Sequence, residues 1–307
     1  MLSALPVILS VLLVMILGQV LSRIILTDVQ FWQGISKLCY WVLFPAMLFK
    51  TIALSDFTGL DVNTSMVVLM IGLFGVMAVI WMAGSLSGLN NADLSSVLQG
   101  SFRHNGFMAL SIIAGLYGQA GLELGTLCLA ALVAPSNVMS VVIMVFLNKR
   151  DGKVNIQKLL AKEIMRNPLI LAILAGLLAK NSPIILPDIL FETTSMLGQA
   201  ALPILLMAVG AGIRFHKRLK SSYIALMLAL LAKAIIFPAL MLMVALGLGM
   251  TGLPLTIFVI FGVMPTAVSS YALAKELGGN AELMAEIISM QTIMSLPVLL
   301  IWLSFFG

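Results

Sequence analysis

Apolar residues come in ten long runs with short polar stretches between them. The runs cover about residues 5–25, 34–54, 63–85, 94–117, 122–147, 168–179, 189–213, 223–248, 253–277 and 283–306. A membrane-spanning helix needs about 20 mostly apolar residues. All runs but the sixth reach that length, and the sixth is expected to begin inside the polar stretch ahead of it. The pattern predicts an all-α polytopic membrane protein of about ten transmembrane helices. The first run has no basic stretch before it and no small-residue cleavage site after it. It is expected to be a retained helix rather than a signal peptide.

Composition narrows this further. Of 307 residues, 61% are hydrophobic and only 9% are charged. A soluble domain is typically about 25% charged, so this chain cannot build a polar shell. Disorder is excluded as well, because disordered chains are poor in apolar residues. The surface is therefore expected to be covered mostly by the lipid bilayer. Cys39 and Cys128 both lie inside apolar runs and read as core thiols, with no metal site or cofactor implied. The net charge of +5 would suggest nucleic acid only if the basic residues shared a face.

They do not share one. Most cluster in two loops. The loop at 148–166 holds Lys149, Arg150, Lys153, Lys158, Lys162 and Arg166 against Asp151 and Glu163, and the loop at 214–220 holds Arg214, Lys217, Arg218 and Lys220. Basic loops stay in the cytoplasm. Two runs separate these loops, so both fall on one side, as the rule requires. Stepping along ten helices puts Arg23 there too, and Asp56, Asp61 and both termini outside.

The two halves of the chain show parallel marks. Pro6 and Pro168, Pro45 and Pro203, Asn105 and Pro265, Gly118 and Gly278, and Asn137 and Pro297 all lie about 160 positions apart, as a duplication would place them. Five helices per half is an odd number, so the second copy is inserted upside down. Residues 1–147 form the N-terminal five-helix repeat, 148–166 a basic cytoplasmic linker and 167–307 the C-terminal repeat. Inverted repeats of this kind belong to secondary transporters, whose sites form where helices break near the membrane midplane.

Runs four and nine carry the strongest breaking signals. Run nine reads Gly262-Val263-Met264-Pro265-Thr266-Ala267-Val268-Ser269-Ser270-Tyr271. Pro265 cannot donate to the helical ladder and clashes with the preceding turn. Thr266, Ser269 and Ser270 either line a site or hydrogen-bond between helices. Run four carries Arg103-His104-Asn105-Gly106. Charged groups at depth are costly and usually functional, although an arginine can also snorkel. His104 is either a proton carrier or a partner for a neighbour. Asn137 in run five and Gln291 in run ten are further polar candidates.

Lys233 lies midway along run eight, in Leu230-Leu231-Ala232-Lys233-Ala234-Ile235-Ile236-Phe237-Pro238. A lysine there must pair, give up its proton or face water. It reads either as an internal cation coupled to transport or as half of a structural ion pair. Glu286 is the nearest acidic candidate by depth.

These residues carry a family resemblance. Asn105-Gly106-Phe107-Met108 with Leu116-Tyr117-Gly118, the stretch Pro265–Glu276, and Lys233–Pro238 together resemble the auxin efflux carrier family, including its bacterial malonate and malate permeases. The resemblance runs along the whole chain. It implies the fold of the bile acid–sodium symporters, with a panel domain of helices 1, 2, 6 and 7. A core domain of helices 3–5 and 8–10 would hold an organic anion where helices 4 and 9 cross. Plant members carry a proline after the helix-four Asn, where this chain has Ile112, a departure that bears on how sharply the helix breaks. They also carry a long central loop, of which only 148–166 remains, as in a compact bacterial carrier.

The expected function is therefore alternating-access transport of a small carboxylate across a bacterial inner membrane. The expected substrate-binding set is Arg103, His104, Asn105, Gly106, Asn137, Pro265, Thr266, Ser269, Ser270 and Gln291. Lys233 is the coupling cation. Acids within the core runs lie near their ends, which favours proton coupling or facilitated diffusion over sodium. A channel is the main rival. A membrane enzyme would need a reactive constellation that is not visible. A homodimer is left open.

Overall fold

A computed structural model describes residues 4–56, 61–148, 161, 165–183, 186–213 and 223–306. The described residues form helices and no strands. Helix α1 is Ala4–Ile24. The second run becomes α2 (Val29–Leu38), a π-helical turn (Cys39–Leu43) and α3 (Phe44–Leu54). Then follow α4 (Val62–Leu86), α5 (Asn91–Phe102), α6 (Gly106–Asn148), α7 (Pro168–Asn181) and α8 (Asp188–Ala211). The eighth run becomes α9 (Tyr223–Leu231), a second π-helical turn (Ala232–Ile236) and α10 (Phe237–Gly247). The chain ends with α11 (Leu253–Val263), α12 (Ser269–Leu277) and α13 (Ala281–Leu303).

Every apolar run is represented. Seven helical stretches are long and apolar enough to cross a membrane, and α7 and α11 are shorter apolar helices. One of the seven, Asn91–Asn148, contains both run four and run five. Within α6 the chain turns at Gly118, whose φ of 58° and ψ of −141° are not helical. Only glycine takes such a backbone without strain. Gly278, at φ 82°, ends α12 in the same way. The molecule is a polytopic membrane protein. Most of the basic 148–166 loop and all of the 214–220 loop lie outside the described residues.

Short polar residues start the helices. Asp28, Asp61, Asn90, Asn167 and Asn280 each accept a hydrogen bond from a backbone N–H in the first turn of the helix that follows. Such caps satisfy donors that no helical carbonyl can reach. The Asp28 cap explains why the second helix begins at Val29, earlier than the apolar run. Asn167 followed by Pro168 starts α7, where proline's missing N–H costs nothing.

Both π-helical turns precede a Phe-Pro pair. Pro45 and Pro238 have no N–H, and their rings crowd the carbonyl four residues back. The helix widens by one residue there, so Phe44 N–H reaches Cys39 and Phe237 N–H reaches Ala232. Pro238 leaves the Ala234 carbonyl without its helical donor. The indole N–H of Trp302 fills the vacancy at 2.8 Å.

The chain divides into two compact units. The first combines residues 1–60, 107–130 and 164–213. In it α1 packs along α8, and α3 packs on α7 and α8. The buried positions of α1 include Ile8, Val11, Met15 and Gly18, and those of α8 include Thr194, Gly198, Ala201 and Leu205. Steps of three and four place each set along one stripe. Gly18 lies against the Met207 backbone and Gly210 against the Met15 backbone, so small residues let the two helices touch main chain to main chain. The opposite side of α1 shows Leu9, Leu13, Ile16, Leu17 and Val20, as a lipid-facing surface requires.

The second unit combines residues 61–106, 131–163 and 214–307. Here α4 packs on α5 and α10, α10 on α11, and α5 on α9 and α13. Helix α5 is buried on all sides from Asp93 to Phe102, and α11 from Leu255 to Val263. These two helices have protein around them. Irregular backbone at membrane depth is tolerated only under such cover.

Candidate functional site

Both buried helices stop inside the second unit. At α11 the cause is local. A residue before proline is pushed out of helical geometry, and Met264 takes φ −58° and ψ 141°. The chain stays non-helical through Ala267, and α12 begins at Ser269. Gly262 makes room for this. A Cβ there would lie 2.7 Å from the Pro238 Cα, closer than packed atoms come.

At α5 no proline is present, and the break is held from outside. Arg103 is extended, at φ −68° and ψ 151°. Asn105 N–H donates to the Pro265 carbonyl at 2.7 Å, which ties the two breaks together backbone to backbone. The last carbonyls of a helix lack a full set of helical donors, and of those in α5 Gln99 keeps one from Arg103 N–H at 3.1 Å. Gly100 accepts from Gln291 Nε2 at 2.9 Å, and Gln99 accepts from the Thr266 hydroxyl at 3.3 Å. Helix α6 then starts at Gly106. The break therefore forms with Ile112 in place of a later proline.

Beyond Asn105, Gly106 and Pro265, which form the breaks themselves, the expected site residues fall into three groups. Thr266, Ser270 and Gln291 are fully engaged in the frame. Gln291 accepts from Thr266 N–H at 2.9 Å and also donates to the Ala229 carbonyl at 2.8 Å. The Thr266 and Ser270 hydroxyls lie 3.3 Å apart. Arg103, Asn137 and Ser269 form the second group. Arg103 does not snorkel. It is 7% exposed, and its guanidinium donates to Asn137 Oδ1 at 2.9 Å, to Ser269 Oγ at 3.0 Å and to Gln99 Oε1 at 3.3 Å. Ser269 is exposed.

His104 and Lys233 make up the third group, both buried. His104 meets Phe261 edge to face, with ring centroids 5.5 Å apart. Its Nδ1 makes no hydrogen bond among the described residues, and neither does Lys233 Nζ. The Lys233 Nζ sits 4.6 Å from the centroid of the Phe237 ring, over its face. Glu286, the acid at similar depth, is buried but does not hydrogen-bond Lys233.

Two residues of this region were not singled out from sequence. Gln99 donates to Met144 Sδ at 3.0 Å while accepting from Arg103. Asn280 donates to Asp93 at 2.7 Å, and the Asn90 amide holds the other Asp93 oxygen at 2.9 Å. A polar residue inside an apolar run was the available signal for Gln99.

Interrupted helices are a recurring feature of secondary transporters. The family model for membrane transport proteins matches residues 4–303. The chain belongs to that family. Its members are transporters, so this chain is an integral membrane protein that acts on a small solute. No curated protein matches the sequence.

Proposed function

We propose that this transport-family chain is a secondary carrier for a small carboxylate, such as malonate, malate or an auxin-like acid. It binds the anion where the breaks of runs four and nine meet and works by alternating access. The single observation that carries the reading is the Asn105–Pro265 backbone bond between two interrupted helices. Around it stand the features an anion needs. Helices α6 and α12 begin there, and helix N-termini carry partial positive charge. Arg103 brings a full charge to the same place, and Lys233 lies within electrostatic reach of His104.

The ten runs are read as two inverted repeats, 1–147 and 167–307. The parallel breaks at 103–105 and 264–268 and the left-handed glycines Gly118 and Gly278 support that reading. The chain sits in a bacterial inner membrane with both termini outside and has no catalytic role. The proton, rather than sodium, is the coupling ion.

Purified protein screened against carboxylates by thermal shift tests the site. The expected result is a shift with one or a few small carboxylates. Asn105→Ala should abolish it, and a substitution in the 148–166 loop should leave it intact. A shift that survives Asn105→Ala would overturn the assignment. In liposomes, saturable uptake stimulated by counterflow is expected, and non-saturable flux would indicate a channel. Stimulation by a sodium gradient alone would remove proton coupling.

A further inference from the structure

Among the described residues, Lys233 Nζ and His104 Nδ1 are buried without a hydrogen bond, in a unit whose other buried polar side chains find partners. A buried ammonium without a counter-charge is among the costliest groups a protein can hold. The surroundings of Lys233 do little to offset that cost. Its π-helical turn packs against α4, α5, α11 and α13. Helices α4 and α11 carry no titratable side chain along their lengths. Helix α5 carries Asp93 in its first turn, where Asn90 and Asn280 hold the carboxylate. At its other end it leads into Arg103 and His104. Helix α13 carries Glu282 near its start and Glu286, which is buried and does not hydrogen-bond Lys233. Within its own helix, α9 to α10, only Tyr223 also titrates. Among the described residues, the amine lies against the face of Phe237.

We propose that Lys233 carries the proton that enters with the anion, so that one carboxylate and one proton bind as a linked pair. The inference rests on the reading of the crossing as a carboxylate site. In the empty carrier the amine is neutral. When a carboxylate arrives, its negative charge supplies what the interior lacks. The amine takes one proton from water and becomes an ammonium, and no other bond changes. Each partner raises the affinity of the other, as linkage requires. Release of the anion on the far side makes the ammonium costly again, and the proton leaves with it. His104 links the amine to the crossing. It is within electrostatic reach of Lys233 and next in sequence to Asn105. Arg103 stays charged throughout, because a guanidinium does not titrate, so it cannot perform this step.

The test is calorimetric titration of the purified full chain with malonate at about pH 8, where simple carboxylates are fully ionised. Buffers of low and high ionisation enthalpy are compared, since the difference counts protons exchanged. Wild type is expected to take up close to one proton per malonate bound. Lys233→Arg, permanently charged, should still bind malonate but take up none. Lys233→Met, permanently neutral, should bind at least tenfold more weakly. Binding by wild type without proton exchange would overturn the proposal while leaving the carboxylate site standing. So would proton uptake preserved in Lys233→Arg. Absence of binding by every carboxylate tried would remove the site itself, and this inference with it. The wild-type measurement alone decides the matter if a variant does not fold.

Discussion

One glutamine amide can accept and donate at the same time, and Gln291 uses all of that capacity. It holds Thr266 of the run-nine break, Gly100 of the run-four helix and Ala229 just before the second π-helical turn. Its place in the expected binding set came from being polar at depth. That signal does not separate a group offered to a substrate from one consumed by the frame, since both are polar in an apolar run. Arg103 and Lys233 were easier to read, because charge at depth has few innocent explanations. The partners of these groups were not legible. Gln99, Trp302 and Asn280 act on residues far away in sequence, and no periodicity encodes those meetings. Replacing Gln291 with Leu takes the acceptor from the buried Thr266 N–H and a donor from the Gly100 and Ala229 carbonyls. Each buried unsatisfied group costs about 1–3 kcal/mol. The variant should therefore unfold at a clearly lower temperature in detergent than wild type. An unchanged midpoint would mean the two breaks hold without this amide.

At the scale of the helix, Pro265 announced its own break, because proline acts on its immediate neighbours. The run-four break was legible only through Arg103, His104 and Asn105, since its geometry is imposed by Pro265 and Thr266 of the run-nine break and by Gln291 of α13. The π-helical turns were not foreseen at all. Pro45 and Pro203 are a matched pair of the two halves, yet Pro45 follows a widened turn and Pro203 lies within uninterrupted α8. That difference makes a test of whether these prolines matter for movement. Pro45→Ala restores a donor to the Trp41 carbonyl and lets the turn close into ordinary α-helix. Liposome transport should slow several-fold in Pro45→Ala and change little in Pro203→Ala. Equal, unaltered rates would remove the π-helical turn from the transport cycle. The glycine contacts predict a different response. Gly210→Val forces a branched side chain into the Met15 backbone. Overpacking of this kind costs about 1–3 kcal/mol or more, so lower stability is expected with the helix content kept, measured by circular dichroism on heating.

For the whole molecule, the apolar runs were the most legible feature, because lipid demands length and composition rather than particular contacts. The division into compact units was less so. Residues 107–130 pack with runs one, two, six and seven, and no property of their sequence marks that allegiance. Orientation rests on charge. Cytoplasmic loops hold excess Lys and Arg, and both strongly basic loops fall on the same side when the runs are counted. This can be checked with cysteine labelling, for which the chain is well suited because Cys39 and Cys128 are both buried. A cysteine at Asp56, between α3 and α4, should react with an impermeant maleimide added outside intact cells. A cysteine at Lys217 should react only after the membrane is opened. Runs three to seven separate the two positions, an odd number of crossings. Opposite accessibility therefore tests the count as well as the direction. The reversed pattern would keep the ten helices and turn the molecule over. Labelling of both from one side would mean that a run among these five does not cross. The short sixth run, α7, would be the first suspect, and the inverted-repeat reading would fall with it, because five crossings per half is what turns the second copy upside down.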